Sequence, residues 1–178
     1  MLNIRPARKV DSSKIQDIVI TVAREHGVYN PNNPVNDISD IVRAYEGQNG
    51  AYLVAEQDGR IIGTIGFHAV DRDFAKLRRF YVLTEYQGKG IGKALLERAI
   101  GLCKDKGYKA IITISEVSLK RAFDVYTRAG FKVFKTSKVV NYFVKPLGGY
   151  DFDFSELGKR NWVLDWKNGG WKPRDMKH

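Results

Sequence analysis

Residues 87–92 read QGKGIG, with glycine at alternate positions, and they are the segment of this chain best suited to bind an anion. The residues before them, 77–83, are mostly apolar or aromatic over the length of a strand. After them, apolar residues recur at helical spacing, which predicts a helix from Lys89 to about Lys106. A helix N-terminus has unpaired N–H groups and the positive end of the helix dipole. The segment is therefore typical of a phosphate-binding turn.

Two common nucleotide-binding motifs do not fit this turn. A G-x-G-x-x-G fingerprint beginning at Gly88 requires glycine at position 93, and the chain has Lys93. A Walker A loop, G-x-x-x-x-G-K-[ST], requires glycine at position 87 and serine or threonine at position 94, and the chain has Gln87 and Ala94. The turn therefore binds a phosphate ligand of another kind, or it only allows the helix to pack closely on a sheet.

Positive charge is concentrated around the same turn. The 178 residues carry a formal net charge of +10, and residues 72–138 contain 16 Lys and Arg against 6 Asp and Glu. A ligand with several phosphate groups explains this distribution by attraction, and so does a nucleic acid. A solvated basic surface is the third interpretation. No recognisable nucleic-acid-binding motif accompanies the charge, so we expect no nucleic-acid partner.

The composition is that of a globular chain without features of export. The length suits one domain, and 43% of the residues are apolar. No apolar run approaches the roughly 18–20 residues that a membrane span requires, and the N-terminus lacks a signal-peptide pattern. The single cysteine, Cys103, lies on the apolar stripe of the predicted helix, so we expect a core residue and a cytoplasmic protein. The histidines share no metal-ligand spacing, so we expect no metal.

The pattern of the whole chain predicts a mixed α/β sheet with the element order β-α-α-β-β-β-α-β-α-β-β. We expect Ser118 to cap the last helix, whose apolar face includes Tyr126. The predicted strands are 3–7, 51–56, 60–70, 76–83, 109–115, 131–136 and 139–144, and the predicted helices are 12–27, 37–45, 89–106 and 118–130.

Two motifs together resemble the GNAT superfamily of N-acetyltransferases. Residues 87–92 match its acyl-CoA pyrophosphate loop, [Q/R]-x-x-G-x-[G/A], and residues 122–131, AFDVYTRAGF, resemble its A-x-x-x-Y-x-x-x-G-F segment. Residues 75–82 resemble the strand that leads into the loop. The resemblance implies that residues 1–146 form a GNAT domain. Such a domain has a mostly antiparallel central sheet with a central parallel strand pair, flanked by helices.

The resemblance also implies a site for acetyl-CoA as co-substrate. The backbone of residues 80–82 would pair with the pantetheine arm, and the N–H near Val82 would polarise the thioester carbonyl. The N–H groups of residues 87–92 would hold the pyrophosphate, and basic side chains would add charge. The implied cofactor-binding residues are Phe80, Tyr81, Val82, Gln87, Gly88, Lys89, Gly90, Ile91, Gly92, Lys93, Ser118 and Arg121.

Transfer of an acetyl group to an amine benefits from a base and an acid. A lysine-like amine has a pKa of about 10.4 and must lose a proton, whereas a leaving thiol has a pKa of about 8.5. Tyr126 has the position of the family's tyrosine that protonates the departing sulfur, although its spacing also suits an ordinary core residue. Glu116, just beyond the predicted strand, is the nearest base, or else an exposed acid near a helix N-terminus.

Two positions depart from the family pattern. Lys76 stands where histone-type members have a catalytic glutamate, and Leu119 stands where many members have asparagine. These departures leave open a GNAT-fold protein that binds acyl-CoA without catalysis. We expect the acceptor to be a primary amine of a small molecule, a peptide or a protein, and its identity stays open. Acidic residues near the expected entrance predict a cationic or neutral amine rather than a carboxylate-rich one: Glu25, Asp37, Asp40 and Glu46.

Residues 147–178 lie beyond the implied domain and are rich in aromatic side chains. This composition is unlike that of a disordered tail, so we expect the extension to pack on the domain or on a second subunit, which would form a homodimer. A lid over the acceptor site is a further interpretation. The aromatic residues are Tyr150, Phe152, Phe154, Trp162, Trp166 and Trp171.

Overall fold

The computed structural model describes residues 1–31, 36–150, 153 and 157. The strands are β1 (Leu2–Pro6), β2 (Ala51–Gln57), β3 (Arg60–Ala69), β4 (Phe74–Val82), β5 (Ala110–Glu116), β6 (Lys132–Thr136) and β7 (Val140–Pro146). The helices are α1 (Ser12–Glu25), α2 (Asn36–Ser39), α3 (Ile41–Ala44), α4 (Ile91–Asp105) and α5 (Lys120–Arg128). No helix in these ranges is long and apolar enough to cross a membrane.

The described strands form one sheet in the order β1-β2-β3-β4-β5-β7-β6. Neighbouring strands are antiparallel except β4 and β5, which are parallel and lie near the middle of the sheet. Helix α4 connects these two strands. The arrangement confirms the predicted mixed, mostly antiparallel sheet with a central parallel pair and flanking helices.

The apolar faces of α1 and α4 build the main core against the sheet. On α1, Ile15, Ile18 and Val22 are buried, as their helical spacing predicts, and burying each such side chain contributes roughly 1.5–3 kcal/mol. Cys103 of α4 is fully buried, and burial raises the pKa of its thiol, so it is a core residue as predicted. The buried face of α4 is Ile91, Leu95, Leu96, Ala99, Ile100 and Cys103.

Two predicted helix starts are wrong. Helix α4 begins at Ile91 rather than Lys89, because Gly90 has a left-handed backbone (φ 82°) and occupies the N-cap position. Helix α5 has Leu119 rather than Ser118 at its N-cap, without a side-chain cap. The Ser118 carbonyl instead accepts the backbone N–H two residues later at 3.0 Å. The helix therefore begins too late for the Ser118 hydroxyl to cap it.

The segment predicted as one helix from Asp37 to Tyr45 is instead the two short helices α2 and α3, separated at Asp40. Tyr45 is fully buried, and its hydroxyl donates to an Asp37 carboxylate oxygen at 2.5 Å. In one straight helix, eight residues of rise would separate these two positions by about 12 Å along the axis. The break between α2 and α3 brings them together.

The described part of the C-terminal extension lies against the sheet. Leu147 is buried in the main core, and Leu157 is buried in a smaller cluster on the sheet. The aromatic residues Phe152, Phe154, Trp162, Trp166 and Trp171 lie outside the described residues. The other members of the Leu157 cluster are Phe74, Ala110, Ile112 and Val144.

Candidate active site

The parallel strands β4 and β5 separate and leave a cleft in the sheet. They pair over residues 74–76 and 110–112, whereas β4 continues to Val82 and β5 continues to Glu116. Beyond the paired stretch, β5 remains bonded to β7 on its other side. The peptide groups of β4 that face the cleft are therefore an open strand edge, with which an extended ligand can pair. Residues 80–82 lie on this open stretch.

A bulge in β4 accompanies the separation. Thr64 of β3 pairs with Tyr81 and Gly66 pairs with Arg78, so β4 has one residue more than β3 between these pairs. Arg79, within the bulge, has a left-handed φ of 53°. A bulge bends its strand and increases its twist, which turns β4 away from β5. A left-handed backbone costs a residue other than glycine roughly 1–2 kcal/mol, so neighbouring groups must hold Arg79 in place.

Asp37 is the main group that holds Arg79. The Arg79 Nη2 and Nε donate to the two carboxylate oxygens at 2.6 and 3.1 Å, and both side chains are largely buried. Thr64 Oγ1 also lies 3.2 Å from the Arg79 carbonyl. Burial opposes ionisation of Asp37 and is the largest single influence, but the hydrogen bonds from Arg79 and Tyr45 together with the charges of Arg78 and Arg79 keep the Asp37 pKa below its ordinary value. Sequence reasoning missed this pair, because its members lie 42 residues apart.

The turn at residues 87–92 has the backbone geometry of an anion site. Gly88 and Gly90 have left-handed φ angles of 79° and 82°, which glycine adopts without strain. Gly92 lies so near the Phe80 ring that an added Cβ would be 3.4 Å from a ring carbon. Within the described residues, the backbone N–H groups of 88–93 have no acceptor. The turn therefore presents a row of unpaired donors at the N-terminus of α4.

The Gln87 side chain links the turn to the end of β4 and to α5 by hydrogen bonds. Its Nε2 donates to the Val82 carbonyl at 2.8 Å, and its Oε1 accepts from Arg121 Nη1 at 2.6 Å. Its backbone N–H donates to the Thr84 carbonyl at 3.2 Å, so this group is used inside the protein, unlike the N–H groups that follow. The first residue of the loop motif thus connects the end of β4 with α5, and it places Arg121 beside the turn.

The other predicted polar contacts lie at the surface around the turn. Lys89 and Lys93 are exposed, with Lys89 Nζ 5.2 Å from the Tyr86 ring centroid and Lys93 Nζ 3.8 Å from a Glu97 carboxylate oxygen. Ser118 is exposed just before α5. These side chains surround the N-termini of α4 and α5, where an anionic ligand is favoured. Their contacts to a ligand stay predictions.

Tyr126 reaches the point where β4 and β5 separate. Thr113 Oγ1 lies 3.5 Å from the Tyr126 hydroxyl and 3.4 Å from the Leu77 carbonyl. Leu77 and Thr113 are the first residues after the paired stretch of the two strands. The ring packs among Phe80, Phe131 and Phe143, with centroids 6.0, 5.4 and 5.2 Å away. The predicted acid is therefore a core residue whose hydroxyl lies at the cleft.

The Tyr126 hydroxyl is protonated near neutral pH and can act as a hydrogen-bond donor. Burial raises its pKa to about 12, far above that of a leaving thiol near 8.5. Its contact with the Thr113 hydroxyl is long, at 3.5 Å, so it binds the tyrosine proton at most weakly. A phenol in this state can donate to an atom in the cleft that becomes negatively charged.

Glu116 approaches the cleft from the other face of the sheet. Side chains alternate along a strand, so Glu116, three residues after Thr113, faces away from Tyr126. Burial raises the Glu116 pKa, and its charge adds to the burial that raises the pKa of Tyr81 on β4. The two predicted catalytic residues therefore lie on opposite sides of the opening. This separation suits an acid for the leaving thiol and a base for the attacking amine.

The histidines do not gather at the cleft or elsewhere in the described part of the chain. His68 is buried in β3, with Nδ1 2.8 Å from the Ala69 carbonyl. Burial lowers the pKa of His68 to about 4, so the ring is neutral near pH 7. Over the described residues, no group of three or more His, Cys, Asp or Glu side chains could hold a metal ion.

The chain is similar to known proteins in sequence. The sequence model of the Acetyltransferase (GNAT) family matches residues 20–131. A probable N-acetyltransferase family 8 member 5 from Mus musculus is 31% identical over 101 residues, which are 54% of this chain and 44% of the relative. N-acetyltransferase 8 from Homo sapiens is 29% identical over 102 residues, 54% of this chain and 45% of the relative. The match thus spans less than half the length of these relatives.

Solved structures share the fold. An acetyltransferase of the GNAT family from Staphylococcus aureus has a TM-score of 0.75 at 20% identity, covering 83% of this chain and 99% of that one. A PaiA N-acetyltransferase from Thermoplasma acidophilum, in complex with coenzyme A, has a TM-score of 0.72 at 24% identity, with the same coverage. The family model matches more than half of this chain and includes both the glycine turn and Tyr126. The chain therefore belongs to the GNAT acetyltransferase family, as its two motifs predicted.

Proposed function

We propose that this protein transfers an acetyl group from acetyl-CoA to a primary amine, which attacks the thioester directly. The observation that carries the proposal is the open edge of β4, which leads into the turn with unpaired N–H groups. Pantetheine amides pair with an open strand edge, and a pyrophosphate accepts hydrogen bonds from a helix N-terminus. Solved structures of the same fold from Thermoplasma acidophilum and Sinorhizobium meliloti are complexes with CoA and acetyl-CoA.

The residues present fit this co-substrate. Residues 80–82 would pair with pantetheine, and the N–H groups of residues 88–93 would hold the pyrophosphate. Arg121, fixed beside the turn by Gln87, would add positive charge. When bound, acetyl-CoA supplies an acetyl group that is activated as a thioester. The Val82 N–H would donate to its carbonyl oxygen, on which negative charge grows during attack.

Tyr126 would act as the acid. Its pKa of about 12 keeps the hydroxyl protonated until the sulfur begins to leave. The departing sulfur then becomes a better acceptor than the neutral thioester was, so the hydrogen bond strengthens as the C–S bond breaks. The phenol oxygen, 3.5 Å from the Thr113 hydroxyl, would meet the sulfur where β4 and β5 separate.

Glu116 would act as the base, directly or through water. Its position on the other face of the sheet keeps it away from Tyr126, so the two proton transfers do not compete. Burial raises the Glu116 pKa, which makes the carboxylate a stronger proton acceptor than an exposed one. A half-buried acid without a catalytic role is the alternative for this residue.

Calorimetry with acetyl-CoA and an assay of CoA release in the presence of primary amines test the proposal. We expect saturable binding of acetyl-CoA and CoA release that depends on an amine. A protein that binds acetyl-CoA and acetylates no amine would support the second candidate, a non-catalytic acyl-CoA-binding protein. Lys76 and Leu119, which replace family residues at the site, are the observations that favour this candidate. Absence of binding would contradict both candidates.

Two further predictions concern the setting of the enzyme. Residues 147–178 would form an extension that packs on residues 1–146 or joins two subunits into a homodimer, and the burial of Leu157 supports the first arrangement. Sedimentation of the full chain and of a chain ending at residue 157 would separate the two arrangements of the extension.

The single cysteine supports a cytoplasmic location.

A further inference from the structure

Two cations lie on the face of the sheet opposite α4. Lys76 and Arg78 alternate along β4 and therefore share one face, where their partners in β3 are His68 and Gly66. A Cβ added at Gly66 would lie 2.6 Å from the Tyr45 ring, so this face is the one covered by the segment that follows α3. Lys76 is also the last residue of β4 that pairs with β5. The two cations thus lie where the cleft begins.

Neither cation has an anionic partner in the described part of the chain. The Lys76 ammonium and the Arg78 guanidinium make no hydrogen bond or ion pair with a described residue. Asp37 is close enough for Arg78 to lower its pKa, but its oxygens already accept hydrogen bonds from Arg79 and Tyr45. The cluster therefore has an excess of positive charge.

The other titratable groups around Lys76 do not remove this excess. His68, opposite it on β3, is neutral because burial lowers its pKa to about 4. Glu116 lies on the same face of β5, but it forms no ion pair with a described cation. Burial, helped by the charge of Arg78, lowers the pKa of Lys76 to about 8. A partly buried cation without a partner is unfavourable unless a ligand supplies the opposite charge.

We propose that the acceptor carries a carboxylate beside its amine, and that Lys76 and Arg78 bind this carboxylate. The inference rests on the proposed acetyl transfer and names its substrate class, of which amino acids are the simplest members. A carboxylate has two oxygens and accepts charge-assisted hydrogen bonds from both cations. Glu116, on the same face of the neighbouring strand, is then available to the amine.

This substrate class keeps the expectation of an acceptor that is neutral overall, but it assigns recognition to the cations of β4 rather than to the acidic residues of the N-terminal segment. Asp37 is bound to Arg79, and Glu25 accepts a hydrogen bond from the Thr84 hydroxyl at 2.5 Å. These acids are used within the protein, whereas the unpaired cations come from β4. Net charge by segment could not show this, because it counts side chains without their partners.

The first test compares acceptors that differ only in the carboxylate. Amino acids and their primary amides are assayed as acceptors, with rates corrected for the neutral fraction of each amine. We expect the acids to exceed their amides in kcat/KM by roughly 10- to 100-fold, the range of charge-assisted hydrogen bonds. Equal or faster turnover of the amides across the panel would overturn the inference.

The second test removes each cation. Lys76→Met and Arg78→Met are expected to raise the KM of the acid about tenfold or more, without effect on the KM of the amide or on acetyl-CoA affinity. Lys104→Met, an exposed position near the end of α4, is the control for loss of one positive charge. If acid and amide lost activity equally, Lys76 would be acting in another way, such as a general base, and the inference would be wrong.

A binding experiment separates this inference from the proposed catalysis. Calorimetry on CoA-loaded protein compares N-acetylated amino acids with their amides, which requires no turnover. We expect the acids to bind roughly tenfold tighter, and the difference to disappear in Lys76→Met and Arg78→Met. A protein without transferase activity could still show this difference. Equal affinity for acid and amide would refute carboxylate recognition, whatever the outcome of the transfer assay.

Discussion

The two sides of the cleft are built from different groups. On the α4 side, the donors are backbone N–H groups of consecutive residues, 88–93, exposed by left-handed glycines. On the other side, charged side chains come from segments far apart in the chain: Asp37, Lys76, Arg78 and Arg79. The first site is determined by a short segment and the second by the tertiary fold. A motif can therefore identify the first, and only a structure can identify the second.

The two sides also differ in how strongly they depend on the identity of their side chains. Every residue except proline has a backbone N–H, so the turn tolerates many side chains as long as its glycines are kept. The opposite face depends on which side chains stand at a few positions of β4. This division suits a constant co-substrate on one side and an acceptor specific to this protein on the other.

Gly90→Glu tests the backbone side and has the largest expected effect. The new carboxylate would oppose the pyrophosphate and cover the N–H groups, so the Kd for acetyl-CoA should rise about a hundredfold or more. Gly59→Glu is the matched control, because Gly59 also has a left-handed φ (77°) and open space but lies in the β2–β3 turn. Both variants should lose similar stability. Calorimetry that showed equal affinity in the two variants would remove the turn from the site.

Tyr126→Phe tests the residue between the two sides. The variant should lower kcat by roughly 10²- to 10⁴-fold and leave acetyl-CoA affinity nearly unchanged, because the hydroxyl acts mainly as the sulfur leaves. Tyr108→Phe is the control, since burial raises the pKa of Tyr108 to about 12 as well and its hydroxyl donates to the Asn49 carbonyl at 2.8 Å. Single-turnover rates that are equal in Tyr126→Phe and the wild type would reduce Tyr126 to a core residue.

Asp37→Asn tests the side-chain face. It leaves the partly buried Arg79 without a counter-charge, so the free energy of unfolding should fall by about 3 kcal/mol, measured in urea. Asp58→Asn is the control, because Asp58 pairs with the N-terminus in an exposed ion pair, which solvent screens, so its loss should change stability little. Similar small losses in both variants would mean that other contacts hold the bulge.

The pH dependence of stability gives the smallest effect. The pKa of Lys76 is about 8 in the folded protein, whereas an exposed lysine, as in the unfolded chain, has a pKa of 10.5. Between pH 8 and pH 10.5 the unfolded chain therefore binds more protons than the folded protein. Stability contributed by this group therefore rises with pH from 8 to 10.5. Relative to Lys76→Met, the wild type should gain about 1–2 kcal/mol over this interval, less than the whole pKa difference would give, because the partly exposed ammonium is screened by solvent. Urea unfolding measures this gain. Parallel pH profiles would show that Lys76 is well solvated.

The parts of the candidate site that could be predicted are those determined by a few consecutive residues. The glycine turn and Tyr126 could be predicted as site residues because each lies in a short motif with a defined spacing. The bulge at Arg79 gave no such signal, since nothing in the sequence marks an arginine with positive φ and its partner is 42 residues away. The helix boundaries at Gly90 and Leu119 were missed because they depend on backbone angles, which composition indicates only approximately.

Opposite faces of β4 also show why charge counts by segment could not locate the two cations. Phe80 packs toward α4 and Tyr126, as expected of an aromatic residue in a strand. Lys76 and Arg78 would be predicted as solvent-exposed by residue type, yet both are partly buried. Their location follows from the register with β3, which an alternating pattern does not specify across a bulge.

The cleft depends on the number of residues in β4 more than on their identity. Between Arg78 and Tyr81, β4 has one residue more than the strand beside it. A substitution changes a side chain but leaves that number unchanged, so it adjusts the site without closing it. A deletion of one residue between Arg78 and Tyr81 would restore regular pairing with the same β3 partners and remove the bend that turns β4 away from β5. A deletion of one codon in this stretch of β4 should therefore damage the cleft more than most single substitutions would.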